Sequence, residues 1–558
     1  MGKILTLHSP REARSYYLNG TWSPETMYAL ARKHAVERGD AFAVRDPHQR
    51  LSWSDLIARV ECVADALHEA GLRSGDRVCV WLPNRIETVV VFLACSRNGY
   101  VCNPSLHESY TVEEIAGLMS RVECRAAFVQ PGYGADGHQH DIVTRLSHLE
   151  SIQALFITQA PGQEGAPPLG ACAFPRGASS ASAPLPSSDP DQIVYLAFTS
   201  GTTGQPKGVM HSDNTLLANG RALAKDWSLD ERSVILSLSP MSHHIAVVGL
   251  EQSLTAGCEL VLTDRRSGIS PIDWIEQTGA TYVMGVPTHA MDLLAAMDAR
   301  GRPGLGRVSV FYMAGAPIPR DLATRFLRLG ITPQNVYGMT ESGSHQYTRP
   351  TDDAEIITGT CGIACGGYEV RLWNQDAPDE QVGIGEIGEI GGRGAVLMLG
   401  YFSDQASTEH SFNSSGWFLS GDLGRLDEHG NLEVVGRKKD LINRGGHKIH
   451  PARIEELARR HPHVAAAAAL GLPDDRLGEK VCLVIVAQGR TPTTTHLLQH
   501  LEKQGLSRFE MPEYVAVADE FPLTPSGKIL KRGLLEWVHT GKLVPRSVSE
   551  VASPPTQE

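Results

Sequence analysis

The chain has 558 residues, 42% of them hydrophobic and 20% charged, with a formal net charge of −12. That length exceeds what one hydrophobic core serves, so two or more domains are expected. The acidic balance, with no long basic run, argues against nonspecific nucleic-acid binding, and the lack of any 18-residue apolar stretch argues against a transmembrane helix.

Residues 24–160 alternate two patterns. "MYALARKHAVERG", "SDLIARVECVADALHEAGL" and "IETVVVFLACSRNG" have helical spacing, while "DRVCVWLPN" reads as a strand running into a turn. Such alternation predicts α/β layers around a largely parallel sheet. Residues 161–190 are rich in Pro, Gly, Ser and Ala and read as a surface connection. Next comes "QIVYLAF", a buried strand that delivers "TSGTTGQPKG" at 199–208. Bare glycine backbone, several hydroxyls and one lysine suit a polyphosphate. The alternative is an ordinary turn, since Gly, Thr and Pro are turn residues. It is not a Walker loop, because Pro206 stands where the second glycine is required.

Further α/β units run to about 340. Gly383, Gly385 and Gly388 formally spell G-x-G-x-x-G, but no strand precedes them and no helix follows, so a Gly-rich β-hairpin is expected instead of a dinucleotide site. In "HVAAAAALGLP" the alanines favour helix, but the short length and the Gly-Leu-Pro stop favour a buried strand, which is the reading adopted. The polar, proline-containing stretch 546–558 is expected to be a disordered tail. Ten cysteines lie scattered without C-x-x-C spacing. Nothing near Cys361 and Cys365 completes a zinc site, so the cysteines read as buried thiols in a reducing compartment. The start, "MGKILTLHSP", has no signal-like apolar run, and a cytoplasmic location is expected.

Four further segments occur in order after the loop: "YMAGAP", "VYGMTES", "GWFLSGDLGRLDEHGNLEVVGRKKD" and "PSGKILKR". With these five motifs the chain resembles the adenylate-forming superfamily of acyl-CoA synthetases, peptide-synthetase adenylation domains and luciferases, from about residue 25 to 540. The resemblance implies an α/β fold: a large multi-layer N-terminal domain with a β-subdomain (1–438), and a small mobile α+β C-terminal domain (439–545) turning on a hinge at Lys439. It also implies an ATP site. Thr199, Ser200, Gly201, Thr202, Thr203, Gly204 and Lys207 would hold the β- and γ-phosphates. Gly315, Ala316, Pro317 and Tyr337 would line the adenine, with Gly338 beside them, Asp422 would accept from the ribose hydroxyls, and Arg437 would assist at the ribose or phosphate. Thr340 would bond phosphate and Glu341 would hold Mg²⁺, an ion that prefers oxygen ligands.

A carboxylate resists attack until its oxygen leaves as part of AMP. Forming that acyl-adenylate needs no strong base, only in-line orientation and neutralisation of charge at the α-phosphate. By resemblance Lys528 supplies the charge for this step, and the small domain then turns to bring Gly445 and Gly446 to the arm of CoA. Arg453 departs from the family, which usually has glutamate there. In "PMSHHIAVVG", His243 matches a histidine near the substrate carboxylate and His244 adjoins it, but both could equally be packing residues. Gly338 stands where acetate-specific relatives carry tryptophan, which suggests room for more than acetate, and aryl-acid-activating relatives carry a similar P-M-x-H-x segment; a medium-chain, cyclic or aromatic acid is expected. The expected reaction is an AMP-forming acid–CoA ligation using ATP, Mg²⁺ and CoA. Transfer to a separate carrier protein, a luciferase-like oxidation and an inactive acyl or nucleotide sensor are the alternatives; intact Lys528, Glu341 and Asp422 argue against the sensor.

Overall fold

The structure, a computed structural model, describes residues 10–162, 165–199, 206–316, 318–523 and 528–548. The chain divides into two compact units. The first comprises 1–370, 392–418 and 429–432; the second comprises 371–391, 419–428 and 433–558.

The first unit holds two sheets. One has nine strands in the order Ile363–Ala364, Gly343–Tyr347, Thr332–Met339, Val310–Met313, Tyr282–Gly285, Val234–Ser237, Glu259–Leu262, Phe42–Arg45, Arg50–Ser52. Its centre is parallel, from Phe42–Arg45 across to Thr332–Met339. The other has seven strands in the order Cys172–Ala173, Ala154–Ile157, Ala126–Val129, Arg77–Trp81, Val101–Asn103, Ile193–Thr199, Lys207–Ser212. It is parallel except for the last pair. Central strands such as Val234–Ser237, Val310–Met313, Ala126–Val129 and Ala154–Ile157 are mostly apolar because both faces are covered.

The cover shows in the helices. Ile86–Asn98 is buried along all 13 of its residues, and His244–Ala256 is buried from Ala246 to Leu254. A helix without a wet face belongs inside the layers. One core cluster accordingly joins Val78, Phe128 and Tyr195 of one sheet to Ile235, Leu260 and Tyr312 of the other, through Val90, Leu217 and Val248 of the helices between.

The second unit contains most of a four-stranded sheet (Tyr368–Trp373, Gly388–Gly394, Phe418–Leu426, Leu432–Arg437) and a six-stranded sheet built on Val464–Asp474, Gly478–Ala487 and Tyr514–Ala518. The alanine run is therefore a strand, held by its antiparallel partner Gly478–Ala487. The Gly-rich segment is a turn into a strand: Gly383 N–H donates to Glu386 Oε2 at 2.8 Å, and the next helix waits until Gln405–His410. Arg546–Ser547 pairs with Tyr514 and Val515, so the expected tail begins later than 546 because its first residues complete a sheet edge. Residues 549–558 lie outside the described ones. All ten cysteines are unpaired, and all but Cys172 and Cys361 are buried. Among the described residues no helix is long and apolar enough to cross a membrane.

Candidate active site

In the nine-stranded sheet the strand order reverses at Val234–Ser237: the next strand, Glu259–Leu262, lies on one side of it, and the following one, Tyr282–Gly285, on the other. Parallel sheets leave a crevice beyond their carboxyl ends at such a point. His243 and His244 follow that strand, Gly315 and Ala316 follow Val310–Met313, and Thr340 and Glu341 follow Thr332–Met339, which itself carries Tyr337 and Gly338. Motifs a hundred residues apart thus arrive at one edge of one sheet.

The phosphate-loop motif joins a hairpin of the neighbouring sheet. Thr199 at the end of one strand pairs with Lys207 at the start of the next. Ser200, Gly201, Thr202, Thr203 and Gly204 lie outside the described residues, as does Pro317. At the hairpin's return, Lys207 Nζ stands 4.5 Å from the ring centroid of Tyr401. Tyr401 in turn donates its hydroxyl to Glu341 Oε1 at 3.0 Å. Burial, then the charge of Glu341, raises the Tyr401 phenol, so it stays a donor at neutral pH. Lysine, phenol and carboxylate therefore form one line.

The backbone around this line is tied down. Met398 N–H donates to the Glu341 carbonyl at 2.7 Å, and His211 Nε2 meets the Thr340 carbonyl at 2.7 Å. On its other side His211 Nδ1 lies 3.0 Å from Thr215 Oγ1. The sequence reading did not find Tyr401. Its only signal was an aromatic after glycine in "LGYFS", a pattern that ordinary core residues share.

His243 is the N-cap residue of helix His244–Ala256, and its ring lies 4.4 Å from that of His107. Burial holds His107 down at about 4. His244 stacks on Tyr195 at 5.7 Å and on His211 at 5.8 Å, and its Nδ1 has no protein partner. Burial, then His211, holds it down at about 3, so it is neutral at pH 7. At Gly338 the structure changes the argument. A Cβ there would run into the Gly343 carbonyl across the hairpin, so backbone crowding requires the glycine, and pocket size cannot be read from it.

The second unit carries the other residues. Arg437 Nε lies 3.1 Å from Asp422 Oδ1 across adjacent strands. Beside them Glu389 receives Lys438 Nζ at 2.8 Å and Gly421 N–H at 3.2 Å. Lys439 sits in the short turn Lys438–Asp440. Gly445 (φ +57°) and Gly446 (φ +86°) form a two-residue hairpin turn between Ile442–Arg444 and His447–Ile449, a left-handed geometry that favours glycine at both positions. Lys528 is exposed, next to the bridge between Leu523 and Ile529. Arg453 donates to the Gly505 carbonyl at 3.1 Å.

Comparison with known proteins supplies the deciding observation. Residues 31–402 match the AMP-binding enzyme family and residues 453–528 match the AMP-binding enzyme C-terminal domain. The chain belongs to this family. It is similar to the medium-chain fatty-acid–CoA ligase of Escherichia coli (28% identical, covering 95% of this chain and 93% of that one). It is also similar to the 2,3-dihydroxybenzoate-AMP ligase of Bacillus subtilis (31% identical, 94% and 96%). Among solved structures it resembles ATP-bound MatB from Rhodopseudomonas palustris, at a TM-score of 0.79 and 27% identity over 92% of this chain and 99% of that one. This AMP-binding enzyme is thus an adenylate-forming ligase that uses ATP.

Proposed function

We propose that this AMP-binding enzyme activates a medium-chain, cyclic or aromatic carboxylic acid as its acyl-adenylate and passes the acyl group to CoA, releasing AMP and pyrophosphate. The observation that carries the first step is the line Lys207–Tyr401–Glu341 at the return of the phosphate-loop hairpin, beside the crevice. Lys207 offers a positive charge to a phosphate, and Thr340 a hydroxyl. The loop residues 199–204, with Gly315, Ala316, Pro317 and Tyr337, complete the nucleotide site in this reading. Asp422 takes the ribose hydroxyls, and Arg437, paired with it, orients that carboxylate.

Glu341 suits Mg²⁺. Its carboxylate is a hard oxygen donor, and among the described residues no cluster of three His, Cys, Asp or Glu could hold a metal alone. An ion that takes one carboxylate and fills its shell with phosphates and water fits that donor set. Bound there with ATP, it would neutralise phosphate charge. Lys528 supplies the positive charge at the α-phosphate when the acid attacks, from a small domain that begins at 439 and turns about Lys439.

Thioester formation with CoA is favoured by the likeness to a CoA ligase and by the Gly445–Gly446 turn. That turn offers backbone to a thin thiol arm, and no atom lies within 4 Å of a Cβ built at Gly446. The second reading, transfer to a carrier protein, draws on the likeness to an aryl-AMP ligase. One experiment separates them: a carboxylic-acid panel followed by ATP–pyrophosphate exchange, and by thioester formation with free CoA. Exchange with thioester supports the proposal. Exchange without thioester moves the acceptor to a carrier protein, and no exchange with any acid overturns the reading.

A further inference from the structure

Helix His244–Ala256 carries a buried polar stripe that the assignments above leave without a role. Glu251 lies seven residues beyond His244. On a helix that is an advance of about 10.5 Å and a return to within about 20° of the starting direction. Glu251 is 0% exposed, and neither Oε1 nor Oε2 has a protein hydrogen-bond partner. The hydroxyl of Tyr195, also 0% exposed, lacks one too, as do Gln252 Oε1 and His244 Nδ1.

These atoms form a connected set. The Tyr195 ring stacks on His244 at 5.7 Å, and the tyrosine lies within electrostatic range of Glu251. From the opposite sheet, Tyr312 also lies within range of Glu251, with its own hydroxyl shared with Ser344 Oγ at 2.6 Å. Gln252 gives its amide to the Tyr282 hydroxyl at 3.2 Å. Unpaired polar atoms in such a place cost free energy until a partner arrives. Burial raises the Glu251 carboxyl well above the usual range and so favours its protonated form. A protonated carboxyl both donates and accepts.

We propose that Glu251 and Tyr195 form the far wall of the acid-binding chamber and hydrogen-bond an uncharged polar group, a hydroxyl or carbonyl, carried about 10 Å beyond the reacting carboxylate. This rests on the reading above, in which His243 and His244 stand at the carboxylate. The stripe begins at His244 and continues through Tyr195, which makes the distal end of the acid its occupant. Buried water is the competing occupant. A distal anion is disfavoured, because it would meet a carboxyl whose own ionised form is already costly.

The test uses two probe pairs with the full-length enzyme: biphenyl-4-carboxylate against 4′-hydroxybiphenyl-4-carboxylate, and octanoate against 8-hydroxyoctanoate. Pyrophosphate exchange gives kcat/KM, and calorimetry gives binding of the free acids. Wild type is expected to favour the hydroxylated member of at least one pair by about tenfold or more, the usual penalty for a polar site left unpaired. Glu251→Gln, which keeps a donor and an acceptor, retains most of that preference. Glu251→Met abolishes or reverses it, read as the ratio of kcat/KM for the two members of a pair. Equal use of both members by wild type, or a preference that survives Glu251→Met, overturns the proposal in favour of structural water. Failure of all four probes in an enzyme that exchanges with another acid also overturns it. Failure with every acid instead overturns the reaction reading, and this inference falls with it.

Discussion

Asp213 offers a test of burial energetics that is independent of the reaction. It opens helix Asp213–Asp226 and is fully buried. Its Oδ1 accepts from Met27 N–H and Ser96 Oγ, both at 2.9 Å, while Oδ2 has no protein partner. Burial raises its carboxyl from 3.8 to about 7; the Met27 and Ser96 hydrogen bonds pull it back, and the charge of Asp189 adds to the rise. The folded protein therefore keeps a proton that the unfolded chain has lost above pH 3.8. Stability is fully present below that value, falls as pH climbs towards about 7, and then levels off. Three pH units at 1.36 kcal/mol each make the full penalty about 4 kcal/mol. Asp213→Asn retains the Oδ1 acceptor and removes the titration. Integrating the linkage, the variant should gain about 2.5 kcal/mol more, relative to wild type, at pH 8 than at pH 5. Urea unfolding of both proteins at the two pH values measures this, and titrations elsewhere cancel in the comparison. A variant whose effect is the same at both pH values would refute the argument, for it would mean that the carboxylate is ionised inside the fold.

Four further outcomes are expected. Tyr401→Phe removes a charge-assisted hydrogen bond, worth about 1.5–3 kcal/mol, from Glu341; it should weaken calorimetric binding of Mn²⁺–ATP about tenfold or more while leaving the thermal melt nearly unchanged. Lys528→Ala should cut adenylate formation by about 10²-fold or more yet largely spare thioester formation from synthetic acyl-adenylate, and equal loss in both half-reactions would contradict its role. Lys439→Pro, which restricts backbone φ, should preserve pyrophosphate exchange while acyl-CoA production falls; parallel mild losses with a native melt would place the hinge elsewhere. Gly338→Ala should lower Tm and reduce activity towards all acids alike, because its Cβ meets backbone; a change confined to acid chain length would return Gly338 to the acyl pocket.

The helices Met27–Arg38 and Trp53–Glu69 were legible from spacing and length, whereas Ile86–Asn98, apolar all round, was legible from its length alone. The alanine run was legible as a strand only through its stop signal, since propensity pointed to helix and pairing decided otherwise. Local pattern also exposed the nucleotide motifs, whose glycines and hydroxyls are contiguous. Tyr401 was not legible: it meets Lys207 and Glu341 only because two distant segments converge, and nothing within either encodes that meeting. Gly338 misled for a related reason. Its neighbour Gly343 lies across a hairpin, and a linear comparison of side-chain size cannot register a clash with backbone.

The helix Ile86–Asn98 has a consequence for how this protein can be made. With no side facing water, it has no amphipathic surface on which to rest before the flanking layers exist. A fragment that stopped after the strand Ala154–Ile157 would lack Tyr195, whose ring stacks on Phe92 of this helix at 5.5 Å, and the later segments that complete the same core. Such truncated chains should collect in inclusion bodies, and the nascent chain needs protection until the helix Asp213–Asp226 and those after it have left the ribosome. Any attempt to divide the enzyme into separately expressed halves has to place the cut beyond Ile363–Ala364, the last strand of the nine-stranded sheet, because the two sheets share a single interior.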